Sequence, residues 1–388
     1  MHSPKFTNHK VPDMNVQQIS LQQDNWLEDI SALNIEANIF LLFVSPSFNP
    51  KKEVLGFINN KYPKATIIGC STAGEISDVT VKDETISLTA IKLDKVICKK
   101  SSIEIIDMDC SYKSGQFLAK DLYNKDLKHV LVLSDGLNVN GADLVSGLKS
   151  EIPNVSITGG LAADGSDFNK TFVINGDKVV DKTIIALGFY GENLKVGFSS
   201  KGGWDSFGIE RLVTKSNKNV LYELDGYPAL ELYKSFLGKQ ANDLPSSGLL
   251  FPLSMRLDEE STPVVRTILA INEEDQSLTF AGNIPEGSYV RLMKANIDRL
   301  IDGAADSAIG ANKEQENKSE LAILISCVGR RLVLKQMVEE EVEAVRDIIG
   351  DKPSITGFYS YGEIAPFGEF SPCELHNQTM TITTLSEC

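Results

Sequence analysis

The side chains best suited to chemistry cluster near the end of the chain, in the stretch Pro353–Leu385, which holds Tyr359, Tyr361, Glu363, Cys373, His376 and Asn377. A short buried strand, Ser354–Thr356, runs into Gly357 and a glycine-punctuated loop, and a strand of alternating character follows. Loops on rigid scaffolds are where binding groups collect, so this segment reads as a pocket wall. Within the final strand His376, Gln378, Met380 and Ile382 share one face, and Leu375, Asn377, Thr379, Thr381 and Thr383 share the other. His376 is therefore expected to point inward beside Met380 and Ile382. An imidazole placed there is either a hydrogen-bonded core residue or a ligand, and residue type alone leaves both open.

Tyr359 and Tyr361, with Phe358, could line a small-molecule cavity or serve as core aromatics with bonded hydroxyls. Arg330 and Arg331 follow an apolar strand, at the carboxyl end where open α/β sheets bind ligands. Arg330 could clamp a carboxylate there or form an ion pair. Glu363 and its counterpart Glu75 could hold an ammonium group or serve as partners for loop amides. The other histidines are less promising: His2 and His9 lie in a polar N-terminal stretch, and His129 stands at the mouth of a strand.

Three βαβ units must position these groups. The first runs from strand Ile39–Val44 through a Ser/Pro loop, a helix over Glu53–Asn60 and Pro63 to strand Ala65–Ile68 and Gly69. The second has strand Val130–Leu133, loop Ser134–Asn140, helix Gly141–Glu151, Pro153, strand Val155–Thr158 and Gly159. The third has strand Leu321–Ile325, loop Ser326–Arg331, an acidic helix over Val333–Ile349, Pro353, the strand to Thr356, and Gly357. Uninterrupted apolar runs such as IFLLFV suit parallel strands covered on both faces, joined by right-handed crossovers. GCSTAGEIS (Gly69–Ser77) matches GFYSYGEIA (Gly357–Ala365), and each precedes a Thr-rich alternating strand. This predicts an α/β fold of two related halves, with mixed sheets on repeated βαβ units and an internal duplication. The third copy carries extra residues, roughly Phe370–Gln378, and is expected to be the specialised one. Asn175-Gly176 marks a hairpin, and LDGYPALELYKSFLG opens a new unit with Pro228 in a first helical turn and Gly238 as a cap. The division expected is a mobile tail over 1–20, an N-terminal domain over 21–222 and a C-terminal domain over 223–388.

Composition narrows the function classes. With 388 residues, 42% hydrophobic and 23% charged, the chain can bury a sizeable core. A formal net charge of −15 argues against nucleic-acid and anionic-membrane partners, which need a basic field. Six cysteines without a C-x-x-C pair read as free thiols of a reducing compartment, and no run is apolar enough for a membrane span, so the expectation is cytoplasmic. There is no G-x-S-x-G, H-E-x-x-H, G-x-G-x-x-G or Walker pattern, so neither catalysis nor nucleotide binding is expected.

The segments LDGYPALELY, ISCVGRR, GFYSYGEIAPFG and LHNQTMT resemble the FIST family, a sensory domain with N- and C-terminal halves, over Ile39–Gly208 and Gly226–Leu385. With no kinase or other output domain in it, the chain looks like the nitric oxide sensing subgroup. That resemblance implies haem b held by a protein histidine, nitric oxide as its ligand, and control of a partner histidine kinase in a two-component system; a homodimer is a further expectation. Of the histidines, His376 then becomes the candidate for the haem iron, with Asn377 or Gln378 orienting its ring. Cys373 lacks the C-x-x-C-H context of covalent haem attachment, and a thiolate ligand is the alternative role for it. The second reading, behind the haem sensor, is a sensor of a small amino-acid-like ligand without haem, using Arg330 and Glu363, in which His376 is structural.

Overall fold

The computed structural model describes residues 14–313, 319–367 and 372–388. Its inner strands follow directly from the apolar runs. Ile39–Val44 lies parallel to Thr66–Ser71, Leu127–Ser134 to Ser156–Leu161, and Leu321–Cys327 to Ser354–Ser360. Helices Lys51–Lys61 and Gly141–Glu151 make the first two crossovers, and Val328–Leu334 with Val338–Ile349 makes the third. Gly69, Gly159 and Gly357 stand opposite Leu42, Val132 and Leu324. A Cβ at any of the three would overlap the partner's carbonyl oxygen, so the recurring glycine is dictated by close backbone approach.

Each parallel pair belongs to a larger repeat. The first comprises strand Met14–Gln22, helix Trp26–Ser31, the βαβ unit, the hairpin Glu75–Ser77/Thr80–Lys82 and strand Thr85–Leu93. The second runs from strand Ile97–Glu104 through helix Ser111–Leu122 and its βαβ unit to the hairpin Val173–Asn175/Lys178–Val180 and strand Thr183–Tyr190. The third begins at Leu194–Lys201, continues with helix Ile297–Asn312 and its βαβ unit, and closes with the hairpin Gly362–Pro366/Cys373–His376 and strand Met380–Glu387. The α/β class with mixed sheets on repeated βαβ units thus holds, and the related first and third copies have a second between them.

The hairpins are exchanged in a cycle. The first repeat's hairpin pairs with the third repeat's sheet, the third's with the second's, and the second's with the first's. Three backbone bonds close the same ring: Ala73 N donates to Tyr359 O, Tyr361 N to Leu161 O and Ala163 N to Ser71 O, at 2.8, 3.2 and 3.0 Å. Inside the ring, one apolar core draws Phe43 and Ile68, Leu131 and Leu133, and Ile323, Ile325 and Phe358 from the three sheets, with Phe43 stacked on Phe358 at 4.7 Å. The halves expected from sequence therefore share two of these three sheets, while the first is built from the N-terminal half alone.

Between Leu194–Lys201 and Ile297–Asn312 sits an inserted unit, Asp205–Lys294, an eight-stranded antiparallel sheet with helix Ala229–Leu237 and its own apolar cluster. Three expectations need correction. Of the tail expected over 1–20, residues 1–13 lie outside the described residues, while Met14–Gln22 is a strand paired with Thr85–Leu93, its Met14 and Leu21 buried. The loop expected over Ser326–Arg331 becomes helix at Val328, because the crossover starts immediately after the strand. The final strand is two strands in two sheets. Gln378 adopts a left-handed φ of 64° that breaks it, so His376 and Met380 do not share a face as consecutive strand residues.

Candidate functional site

The carboxyl ends of the three parallel pairs face the exchanged hairpins, so a crevice can form wherever a hairpin, a strand end and a helix start meet. In the third repeat that space is filled. Gln378 packs on Gly329 at the helix start, where a Cβ would strike its side-chain amide, and its Nε2 donates to Leu249 O at 3.2 Å. Arg330 is fully buried beneath. Its Nε and Nη2 donate to Glu341 Oε2 at 3.0 and 2.6 Å, Nη2 also reaches Leu300 O at 2.7 Å, and Nη1 reaches Gly202 O. Tyr359 OH donates to the other oxygen of Glu341 at 2.5 Å, and Ser326 Oγ joins it at 3.1 Å. The arginine expected to clamp a ligand carboxylate instead clamps one of the protein's own, and Tyr359 is part of that internal network.

Glu363 and Glu75 are equivalent in position and in role. Glu363 accepts from Ser360 Oγ at 2.7 Å and from Thr379 N and Oγ1 at 3.2 and 2.9 Å. Glu75 accepts from Thr72 Oγ1 and from Thr85 N and Oγ1 at 3.2 and 2.9 Å. Each carboxylate fastens its hairpin to the start of its own repeat's last strand. Burial pushes the Glu363 carboxyl up to about 8 and the Glu75 carboxyl to about 7, against the hydrogen bonds that favour their charged forms. Neither faces an ammonium pocket.

His376 is fully buried, as its inward orientation required. Its Nε2–H donates to Ala365 O at 2.7 Å, which fixes the tautomer and leaves the Nδ1 lone pair without a partner. Phe367 packs edge-on against the ring at 4.2 Å, and burial lowers the imidazole pKa to about 4, so it is neutral. A neutral imidazole with one nitrogen anchored on a carbonyl has the electronic character of an iron ligand. The space is wrong for a porphyrin: the ring has no exposed face, Phe367 covers it, and it lines none of five cavities of about 30 to 550 Å³ among the described residues. Haem does not fit this arrangement. Asn377 Nδ2 donates to Tyr361 O at 3.4 Å while its Oδ1 is buried without a partner, so it braces the turn and does not orient the imidazole. Cys373 is buried, its Sγ donating to Ile157 O at 3.4 Å and its thiol pushed well up by burial, as for a core residue. His129 is likewise a core residue, between Ser156 Oγ at 2.8 Å and Thr158 Oγ1 at 3.1 Å.

Open space lies instead around the second repeat. There the connection from inner strand to hairpin spans residues 162–172, against 72–74 in the first repeat and Tyr361 alone in the third. Asp164 shapes this long loop, accepting from Asn169 N and Lys170 N at 2.9 and 2.6 Å and from Tyr361 OH. On one side of the loop is a crevice of about 550 Å³, lined by Pro46, Lys51, Lys52, Asp167, Lys170, Phe172 and Asp181 among others, at the start of helix Lys51–Lys61. Lys51 is partly desolvated, its pKa lowered by burial, with Nζ donating to Phe48 O at 2.6 Å and lying 5.9 Å from the Phe172 ring centroid. On the other side is a smaller cavity of about 90 Å³ against the inserted unit, where Tyr361 forms part of the wall. Of the residues singled out by sequence, only Tyr361 borders an open space among these. The crevice residues were missed, though the turn-rich segment LAADGSDFNKT between Gly159 and Asn175 was a usable signal, since neither other copy has such a segment.

Comparison with known proteins agrees with this architecture. The FIST N domain matches residues 38–227 and the FIST C domain residues 229–366. The chain belongs to the FIST family. Its family places it among sensory, signal-transduction proteins, and the boundary between the two matched regions falls inside the inserted unit. An uncharacterized protein of Methanocaldococcus jannaschii is 26% identical over 319 residues, covering 76% of this chain and 60% of that protein, so the chain spans less than two-thirds of that relative's length. Among solved structures, a cyanuric acid hydrolase from A. caulinodans aligns over 97% of this chain and 99% of its own at 7% identity, with a TM-score of 0.38. A phosphoribosylformylglycinamidine synthase II from Thermotoga maritima gives 0.23 at 7% identity over 96% of this chain and 72% of its own. Such scores carry no argument about fold or activity. No helix among the described residues is long and apolar enough to cross a membrane.

Proposed function

We propose that this FIST protein senses a small zwitterionic, amino-acid-like ligand in the crevice between the first and second repeats, and reports it to a partner protein such as a histidine kinase. The observation that carries this reading is the composition of that 550 Å³ space: cations (Lys51, Lys52, Lys170) and carboxylates (Asp167, Asp181) over an apolar floor of Phe172, Val179 and Val180. Its volume falls in the range of small-molecule sites. A ligand carboxylate would meet the lysines and the first turn of helix Lys51–Lys61, an ammonium group would meet Asp181 or Asp167, and a side chain would rest on the floor. No catalytic step is part of this reading. The reporting step needs a conformation whose affinity for the partner changes with ligand, and the loop over 162–172 lines both the crevice and the smaller cavity that the inserted unit also lines.

The haem-based nitric oxide reading keeps one observation in its favour, the unpartnered Nδ1 of His376. It would require Phe367 to leave the imidazole and a porphyrin-sized space to open beside it. A thermal-stability screen of amino acids, run beside an absorption spectrum of protein purified with haem supplied, separates the two. A saturable rise in melting temperature with one amino acid, in colourless protein, supports the ligand sensor. A Soret band that shifts with nitric oxide and vanishes in His376→Ala would replace it with the haem sensor.

A further inference from the structure

We infer that the cavity between the second repeat and the inserted unit is a second binding site, for a small uncharged molecule bearing an apolar ring. Its walls include Leu137, Val139, Leu161 and Phe280, and Met108, Phe168 and Leu269 also line it. These last three are large apolar side chains left 47%, 38% and 40% exposed, although each comes from a different element: a 3-10 turn, the long loop of the second repeat, and strand Ile268–Asn272 of the inserted unit. Single exposed hydrophobics are ordinary; three converging on one cavity mark a place where apolar surface is meant to be covered.

The lining also sets the ligand's charge. Its polar members are Asn140, Asn219 and Tyr361, all uncharged, and no ionisable acid or base other than the tyrosine faces the space. A charged ligand would lose its hydration with no opposite charge to meet, so the site selects neutral molecules. Asn140 is already engaged, its Oδ1 capping helix Gly141–Glu151 through Ala142 N and Asp143 N and its Nδ2 donating to Asn283 Oδ1. Tyr361 is engaged too, its OH donating to Asp164 and accepting from Phe168 N, so Asn219, whose Nδ2 donates to Phe280 O at 2.9 Å, remains as the neighbour for a single ligand hydroxyl. At about 90 Å³ the space is smaller than the 150 Å³ or so known to take benzene, so a ring would sit partly in the mouth against Met108 and Leu269.

One wall is preorganised. Phe168 holds a left-handed φ of 49°, unusual for an aromatic residue, and its ring lies on that of Tyr361 at 4.4 Å with an 8° tilt. Such a conformation persists where its surroundings over-determine it, here by the stack and by Phe168 N donating to Tyr361 OH at 3.3 Å. The pair forms a flat platform at the cavity edge, a surface suited to a ring. The inference is independent of the charged crevice, because it concerns the opposite side of the loop.

Phenol is the probe for this test, titrated into the full chain with methionine methyl groups labelled for NMR. The Met108 methyl should shift in a saturable way and the melting temperature should rise. Ala281→Phe, which fills the cavity, should weaken both responses at least tenfold in a protein that still melts cooperatively; Leu137→Phe serves if that variant does not fold. A Met108 signal that stays fixed, or a response equally strong in the filled variant, overturns the inference. Loss of amino-acid binding in Lys51→Ala with phenol binding intact would bear on the crevice alone.

Discussion

Among the described residues, four buried ionisable side chains, Glu363, Glu75, His376 and His129, are shifted far enough by burial that the sign of each one's pH dependence can be worked out. Glu363 and Glu75 titrate near 8 and 7 in the folded protein, above the usual carboxylate range, so the folded state binds more protons than the unfolded chain between about 4.5 and those values. Their stabilisation is complete at low pH and is lost as pH rises through 7 to 8. Glu363→Gln should flatten that fall, on the order of a few kcal/mol across pH 5 to 8, as read from urea unfolding at several pH values. A slope unchanged in the variant would remove Glu363 as its source. His376 and His129 act on the other side, with folded values near 4 and 3 against an unfolded value near 6.5. The unfolded chain binds their protons first, so stability falls as pH drops below 6.5, and His376→Gln should reduce that acid-limb loss while leaving the part due to His129. The inward placement of His376 was legible from alternation. Its neighbours were not, because Ala365 O and Phe367 reach it through hairpin pairing, and the left-handed turn at Gln378 gives no signal in a residue type that seldom adopts it.

At the level of elements, the buried Arg330–Glu341 pair locks the third crossover onto helix Ile297–Asn312 and the strand that carries Tyr359. Removing one partner leaves a buried charge, so Arg330→Met should cost about 3–5 kcal/mol in urea unfolding. The double variant Arg330→Met/Glu341→Leu should recover a substantial part of that loss; no recovery would mean that the arginine acts through its packing and its carbonyl contacts instead. Gly357→Ala puts a methyl group onto Leu324 O and should destabilise by about 1–3 kcal/mol, with Gly69→Ala behaving alike and Gly159→Ala costing more, because Gly159 also holds a φ of 154°. The inner strands, their crossover helices and these glycines were readable in sequence, since continuous apolar runs and punctuation by proline and glycine are local signals. The direction of Arg330 was not: the carboxyl end of a strand suggests a ligand site, and only the position of Glu341 on the following helix turns the guanidinium inward.

The whole molecule is a cycle of three repeats, and its hairpins pair with sheets that no local pattern names. A hairpin looks the same in sequence whichever sheet receives it, which is why two related halves were visible and the exchange between three repeats was not. The cycle also places the loop over 162–172 between the charged crevice and the apolar cavity, with Asp164 bonded to Tyr361 on one side and to the backbone of Lys170 on the other. Occupancy of one space should therefore alter affinity for the other, by the same factor in both directions. Saturating phenol should change the dissociation constant of a crevice ligand in wild-type protein and leave it unchanged in Tyr361→Leu, where stack and hydroxyl are both gone. The most direct test of the central claim is calorimetric titration of the twenty amino acids into the wild-type chain, Lys51→Ala and Asp181→Asn. One-to-one binding of at least one amino acid is expected, weakened roughly 10- to 100-fold in either variant, as fits the loss of a hydrogen bond to a charged group. Binding of the same strength in both variants, or no binding to the wild type by any of the twenty, would contradict a ligand site between the first two repeats.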